Sequence, residues 1–576
     1  MRGTIAIPEA AHLFPDTERH ELDRRITSLI EARERWEATP IKVRAAMAEQ
    51  AMVDTLAVSE KWVRAACDAK GVAFDGPLAG EEWQSGPALL IRNLRLLAVT
   101  LHSIEEKGHP PVGKVSTRED GTVVVDVFPT DNFDRALFAG VKGQVWMRKG
   151  VTEKTLLDHM ASGYRNATPA TLGVVLGAGN IASIPAMDSI YKMFAENSVV
   201  ILKMNPVNAY LGPVFEAALK VFVDAGFLTV VQGGADVGEY LVFHDGIEHV
   251  HITGSDKAHN AIVFGPGAEG EARRAAGEPR LHKPISAELG NVTPVIVVPG
   301  PWSDGDIRFQ GENLASGLTH NAAFNCIANR VVITHAEWGQ REALLGAMRS
   351  FLDRIPTRPA YYPGAAERRQ AYVDHYGDSV EEHGEASGDA LPWTLVTGVD
   401  ADDPSEMCFE TECFTALAAE TAIGAPSIPE YIRKAVDLCN EGIWGTLGVT
   451  IIVHPKSLKD PEVQVAVDQA IADLRYGTVA VNVWAAVTYA MVTTPWGAYP
   501  GHTLEAIGSG RGVVHNALLF DSSLKSVAHA PFRQFPKPVW FGTNRTAHKT
   551  LRALTELEAD PSPGKLLKAA THAARG

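Results

Sequence analysis

Between Thr171 and Phe264, short apolar runs alternate with amphipathic stretches, and glycines or serines mark most of the changes. The runs Leu172–Leu176, Val199–Lys203, Leu228–Val231 and His249–Thr253 read as strands. Helical patterning follows at about 183–196 and 212–225, after Gly233-Gly234, and from Gly254-Ser255 to Phe264. A strand that is apolar along its whole length belongs in a sheet covered on both faces. A helix between successive strands makes each connection a parallel crossover. The pattern therefore predicts an α/β fold around a parallel sheet. It also predicts where a ligand would sit, because a strand that turns through glycine into a helix aims free N–H groups at a phosphate. The stretch has no GxGxxG, so the common dinucleotide fingerprint does not mark it.

The alternation resumes further on. Strands are expected at 293–298, 330–334, 447–453 and 478–483, with helices near 307–320, 337–353, 427–440 and 460–474. Residues 18–70 and about 87–106 read as helical, 151–165 likewise, and a strand pair is expected near Val123–Val127. The charged stretch 265–281 reads as a surface loop and 354–395 as an irregular polar insertion. Beyond residue 500 the expectation is loops, one helix at about 546–558 and a strand at Val539–Phe541.

At 576 residues the chain exceeds one ordinary core. Its net charge of −16 argues against nucleic-acid or anionic-membrane partners, which need clustered lysine and arginine. Five cysteines without paired spacing fit a reducing compartment, and no zinc pattern is present. Met1–Glu31 lacks the apolar core of a signal peptide, so a cytoplasmic location is expected. The most apolar stretch, Thr478–Ala498, contains Asn482 and Pro495 and reads as buried strand and loop, not a membrane span.

Two polar signatures stand at the edges of apolar runs. Asn321-Ala-Ala-Phe-Asn-Cys326-Ile-Ala-Asn-Arg330 leads into Val331-Val-Ile-Thr334, and Glu288-Leu-Gly-Asn-Val lies upstream. A lone cysteine before a strand is ordinarily a small buried hydrophobe. A thiol and a carboxylate in such positions are also the parts that covalent chemistry on a carbonyl requires.

Taken in order, the motifs resemble the aldehyde dehydrogenase superfamily, over roughly residues 170–500. Gly-Ala-Gly-Asn180 lies where that family carries its asparagine, and Lys203 follows at the family's spacing. His-Ile-Thr-Gly254-Ser255 is similar to its phenylalanine-threonine-glycine-serine turn, and Glu288-Leu-Gly-Asn to its glutamate-leucine-glycine-glycine. Asn325-Cys326 matches its cysteine segment, and Glu412-Cys-Phe414 its glutamate-x-phenylalanine; Gly477-Thr-Val-Ala-Val-Asn482 and Pro495-Trp-Gly497 complete the series.

The resemblance implies a Rossmann-like NAD(P)-binding domain with a helical N-terminal region (1–286). A second parallel α/β catalytic domain (287–490) follows, and then a C-terminal segment (491–576) that returns to the cofactor domain and offers contacts in a homo-oligomer. It implies that Cys326 attacks an aldehyde and that Asn180 and the Cys326 N–H hold the oxyanion. Glu288 then activates the water that releases the acyl group. Lys203, Asn205, Gly234, Gly254, Ser255, Glu412 and Phe414 would hold NAD or NADP. Cys67, Cys408, Cys413 and Cys439 are structural in this reading, with Cys413 expected near the cofactor.

The chain departs from the family in several places. Pro206 stands where a glutamate three residues past the lysine binds ribose hydroxyls, which leaves NAD and NADP both open. Arg273, Arg274 or Arg280 could meet a 2′-phosphate, although their stretch reads more simply as solvated charge. His259 replaces a glycine after Gly254, and 151–165 reads as helix where the family has an oligomerisation hairpin. Two other readings are a CoA-acylating dehydrogenase or acyl-CoA reductase, with CoA as a further partner, and a catalytically silent relative. Phe324 and Trp484 could line an apolar tunnel for aliphatic or aromatic aldehydes.

Overall fold

The computed structural model describes residues 2–166 and 168–576. The aliphatic runs form strands Thr171–Leu176, Ser198–Lys203, Leu228–Val231 and His249–Thr253. With Ile285–Glu288 they make one parallel sheet, in the spatial order Ile285–Glu288, His249–Thr253, Thr171–Leu176, Ser198–Lys203, Leu228–Val231. Gly510–Arg511 adds an antiparallel edge beside Ile285–Glu288. Val199, Val200, Ile201 and Leu202 are fully buried, and each such side chain contributes about 1.5–3 kcal/mol on burial. Helices Arg19–Glu37 and Ile184–Phe194 pack against these strands. Trp36 meets Phe194 edge-on at 5.5 Å.

The chain first builds this sheet outward from Thr171–Leu176 in one direction, then adds His249–Thr253 on the other side. Neighbouring crossovers diverge at that reversal and leave a crevice at the carboxyl ends of the strands, the usual ligand site of open α/β sheets.

The second sheet has 11 strands. Its middle runs parallel in the order Trp393–Val399, Leu417–Ile423, Asn329–His335, Thr293–Val297, Gly448–Ile452, Thr478–Val481, Ser523–His529. Antiparallel strands flank it, with Val380–His383 on one side and Lys142–Met147, Val123–Phe128 and Val115–Thr117 on the other. Gly3–Thr4 pairs with Thr411–Glu412 in a separate two-stranded ladder. No helix among the described residues is long and apolar enough to cross a membrane.

Several expectations need correction. Residues 265–281 are not a loop: Gly267–Ala276 is a helix. Its apolar period is absent because alanine propensity and the pairs Arg273–Glu269 and Arg274–Glu271 support it. The stretch 354–395 is not irregular, since it holds helix Ala365–Tyr376, strand Val380–His383 and the start of strand Trp393–Val399. The helix buries Arg368 and Arg369 on its inner face, so polar residues stand where an apolar stripe was sought. Val539–Phe541 forms a turn. The C-terminal strand is Ser523–His529, obscured in sequence by Lys525, whose ammonium is buried against the Ile471, Ala472 and Leu474 carbonyls. A second C-terminal helix, Pro563–Ala573, follows Ala547–Ala559. The segment 151–165 contributes only the short turns Leu156–His159 and Ser162–Arg165.

Candidate active site

Cys326 follows helix Asp304–Thr319 across a turn in which Asn321, Ala322 and Ala323 are all left-handed, at φ 55°, 53° and 68°. Left-handed alanine costs about 1–2 kcal/mol per residue. The surroundings hold the turn in place. Glu81 accepts from the Asn321 N–H at 2.8 Å and is paired with Arg358, which also donates to the Thr319 carbonyl. Lys70 bridges Glu82, at 2.9 Å, and the Asn321 side chain, at 3.0 Å. Arg330 donates to the Ala323 carbonyl at 2.6 Å. These clamps share no motif with Cys326 and lie up to hundreds of residues away, so sequence reasoning missed them.

Glu288 ends its strand opposite Thr253, the residue before the Gly254 turn. Its Oε1 accepts from Cys326 Sγ at 3.4 Å and from Trp496 Nε1 at 3.1 Å. Burial raises the Glu288 pKa from 4.5 to about 8, against the pull of the Trp496 hydrogen bond. Burial also holds the Cys326 thiol well above its usual range, with Glu288 and Glu412 adding to the effect. The thiol therefore meets its neighbour as a donor to a carboxyl oxygen. Asn180 lies at the same centre, with its Nδ2 donating to the Phe324 carbonyl at 3.0 Å.

Two cavities meet at this point. One is a cleft of about 500 Å³ at the reversal of the first sheet, lined by Gly177–Asn180, Lys203, Asn205, Gly254, Ser255, Glu412 and Phe414 among others. The other is a narrow apolar tunnel lined by Trp484, Tyr489, Trp496, Trp540, Ile184 and Leu89, with His320 and Gln84. Among the described residues, Cys326 is the one that lines both.

Of the residues expected to bind a cofactor, Lys203 projects into the cleft with no hydrogen-bonding partner among the described residues. Burial lowers its pKa to about 8. Asn205 lines the cleft but uses its Oδ1 on the Val207 N–H. Ser255 caps helix Asp256–Phe264, accepting from the Ala258 N–H at 3.1 Å. Glu412 is buried, with a pKa raised by burial to about 7, and accepts from Thr4 Oγ1 at 3.0 Å and the Asn291 N–H at 3.2 Å. Phe414 packs with Phe324 and Tyr362.

Several expectations are refined. Gly234 is covered by Glu9 and His12 and does not line the cleft. The Cys413 side chain is buried in the second sheet's core and does not line the cleft, although its neighbours Glu412 and Phe414 do. Arg273, Arg274 and Arg280 are paired with Glu269, Glu271 and Glu239 and do not line the cleft either. Phe324 belongs to the aromatic cluster rather than the tunnel, while Trp484 is in the tunnel wall.

The chain matches the aldehyde dehydrogenase family model over residues 146–357. It is 30% identical over 299 residues to benzaldehyde dehydrogenase (NAD+) of Pseudomonas putida, a span of 49% of this chain and 55% of that protein. It is 31% identical over 128 residues to N-succinylglutamate 5-semialdehyde dehydrogenase 1 of Caulobacter vibrioides, 22% of this chain and 24% of that one. The chain thus spans about half or less of the length of these curated relatives. Aldehyde dehydrogenase C of Pseudomonas syringae, solved with NAD+ and octanal, has a TM-score of 0.59 at 16% identity, covering 92% of this chain and 97% of that one. Aldehyde dehydrogenase 21 of Physcomitrella patens, solved with succinate, has a TM-score of 0.59 at 13% identity, covering 89% and 91%. At such identities the structural likeness establishes the fold.

Proposed function

We propose that the chain, which matches the aldehyde dehydrogenase family model over residues 146–357, is a distant member of that family and oxidises an apolar aldehyde to a carboxylic acid with NAD(P), through an acyl group carried on Cys326 and released by water. The observation that carries this reading is that Cys326 is shared by a wide cleft bearing the Lys203 ammonium and a narrow apolar tunnel. A reacting carbon held at the sulfur would have its tail in the tunnel and its hydride directed toward the cleft.

The cleft suits a dinucleotide. It combines a small-residue turn after Leu176, a free ammonium at Lys203 and the N-terminus of helix Asp256–Phe264. Lys203, Asn205, Gly254, Ser255, Glu412 and Phe414 would hold the cofactor, which supplies the hydride acceptor when bound. Everything else falls to side chains of this protein. Cys326 adds to the aldehyde carbon as its proton passes to Glu288 Oε1, with which it is already in contact. The oxygen's new charge falls within reach of the Asn180 amide, whose second N–H needs no protein partner, and of the Cys326 backbone N–H. Loss of hydride leaves a thioester on Cys326. Glu288 releases the thiol's proton to solvent, then takes one from water as the water attacks and returns it to the departing sulfur, so the carboxylic acid leaves with the thiol restored.

Glu288 acts as a base only when ionised, so turnover is expected to rise with pH to a plateau above about 8. The walls Trp484, Trp496, Trp540 and Tyr489 favour an aromatic or aliphatic aldehyde. Release of reduced cofactor from an aromatic aldehyde in the absence of CoA is the expected result, and Cys326→Ser should abolish it while leaving nucleotide binding intact. Strict dependence on CoA would replace water as the acyl acceptor, and undiminished activity in Cys326→Ser would refute the thiol mechanism.

A further inference from the structure

The nucleotide sheet alone does not complete its cleft. The N-terminal segment runs from the small ladder at Thr411–Glu412 to the end of strand Leu228–Val231. At one end Gly3–Thr4 pairs with Thr411–Glu412, and the Thr4 N–H donates to Asp256 at 2.9 Å. At the other end the Thr17 N–H donates to the Gln232 carbonyl at 3.1 Å, and Thr17 Oγ1 accepts from the Gln232 N–H at 3.0 Å. Between these anchors Ile7, Pro8, Glu9 and Ala10 form part of the cleft wall.

Glu9 is held in a definite position. Its Oε1 accepts from the Ala235 N–H at 2.9 Å, the first residue of helix Ala235–Phe243, and meets His12 Nε2 at 3.2 Å. Its other oxygen has no partner among the described residues. The carboxylate presses so closely on Gly234 that a Cβ there would lie 2.3 Å from Oε1. Lys203, the one cation in the cleft wall, lies within electrostatic range of Glu9, and its ammonium is free. The wall's other carboxyl groups among the described residues are those of Asp236, Glu239, Glu288 and Glu412, the last two with pKa values raised by burial.

Resting on the cofactor reading above, we propose that Glu9, delivered by the N-terminal segment, is the carboxylate that takes the ribose hydroxyls of the dinucleotide and makes the site selective for NAD over NADP. A carboxylate anchored on one oxygen and open on the other accepts from a vicinal diol, while a neighbouring ammonium donates to it. A 2′-phosphate in the same place would put a dianion against Glu9, among acidic neighbours, with one lysine to offset them. The turn after Lys203 does not supply this group, because Pro206 occupies it. Glu9 does so from the far end of the sequence.

The test measures binding of NADH and NADPH by fluorescence titration with the full-length protein, free of any dependence on turnover. Variants are Glu9→Gln, Lys203→Ala and a chain lacking residues 2–16. Glu9→Gln should weaken NADH by about 10- to 100-fold, the loss of hydrogen bonds to a charged group. NADPH affinity should stay level or improve, so the ratio of the two collapses. Removal of residues 2–16 should reproduce that collapse, and Lys203→Ala should weaken both nucleotides. Equal losses for NADH and NADPH in Glu9→Gln, or no change in either, would overturn the assignment while leaving the cofactor reading in place. A wild-type protein that prefers NADPH would overturn it as well, and one that binds neither nucleotide would overturn both.

Discussion

Glu288→Gln separates the chemistry of the site from its effect on the fold. In the folded chain burial keeps the Glu288 carboxyl protonated up to about pH 8, whereas the unfolded chain loses that proton near 4.5. Between those values the folded state binds more protons than the unfolded state, so stability falls as pH rises. Each pH unit in that window costs about 1.4 kcal/mol. The amide of glutamine is neutral at every pH, can still accept from Trp496 Nε1 and carries no such penalty. The variant should therefore gain on the wild type by about 2 kcal/mol between pH 6 and pH 8, then level off. Thermal unfolding of both proteins at pH 6, 7, 8 and 9 reads this as a difference of a few degrees that widens and then holds steady. Stopped-flow kinetics supplies the second arm. The thiol must then lose its proton to solvent, which slows the burst without removing it, and water loses its base. Reduced cofactor should thus appear as a burst of near-unit amplitude, followed by a steady rate lower by about 10²–10⁴. A stability difference that does not change with pH would refute the buried, proton-holding carboxyl, and an absent burst would refute its assignment to the release step.

Three further outcomes follow from the same geometry. Lys70→Met strips the partner from Glu82, whose side chain is 2% exposed, and should cost about 3–5 kcal/mol in denaturant unfolding, with Glu82→Gln recovering part of it in the double variant. Gly290→Ala places a Cβ 1.9 Å from Glu412 Oε2; displacement of that carboxylate should raise the KM for nucleotide by about tenfold while Cys326 still titrates with a thiol reagent. Trp496→Phe removes the donor that opposes the rise in the Glu288 pKa, so the turnover profile should move to higher pH by about half a unit to one unit.

The sequence carried the periodic parts of the fold well. Strands Leu228–Val231 and His249–Thr253 fall where the aliphatic runs ended, because a strand buried on both faces has no choice but to be apolar throughout. Cys326 and Glu288 could be picked out because each stands at the edge of an apolar run, and Asn180 through the family resemblance; all three line one cleft, with Cys326 against Glu288. The failures have a common cause. Helix Gly267–Ala276 and helix Ala365–Tyr376 are stabilised by ion pairs and by arginines bonded to carbonyls and hydroxyls, which leave no apolar stripe. Leu417–Ile423 hides Glu420 at its centre, buried and paired with Arg341. Such partners come from other elements, and a one-dimensional pattern does not show them.

That hidden class of interaction also explains how a costly site persists. Three left-handed residues and a carboxyl buried with its proton each subtract from stability, and they sit within one turn of Cys326. The groups that hold them are Lys70, Glu81, Glu82 and Arg358, of which the first three lie in or beside the N-terminal helices. A buried ion pair gives little net stability by itself, but removing one member leaves an unpaired charge at a cost of several kcal/mol. The pairs therefore act less as a source of stability than as a constraint: any loosening of the Asn321–Ala323 turn exposes charges that have nowhere else to pair. On this view the N-terminal part of the chain serves both cavities. Its helices brace the turn beneath Cys326, and the segment before them completes the wall of the cleft. The residues that would perform chemistry could be read from motifs. Those that keep the thiol, the carboxyl and the cleft in register were spread along the first eighty residues and around Arg358, where folding alone brings them to the site.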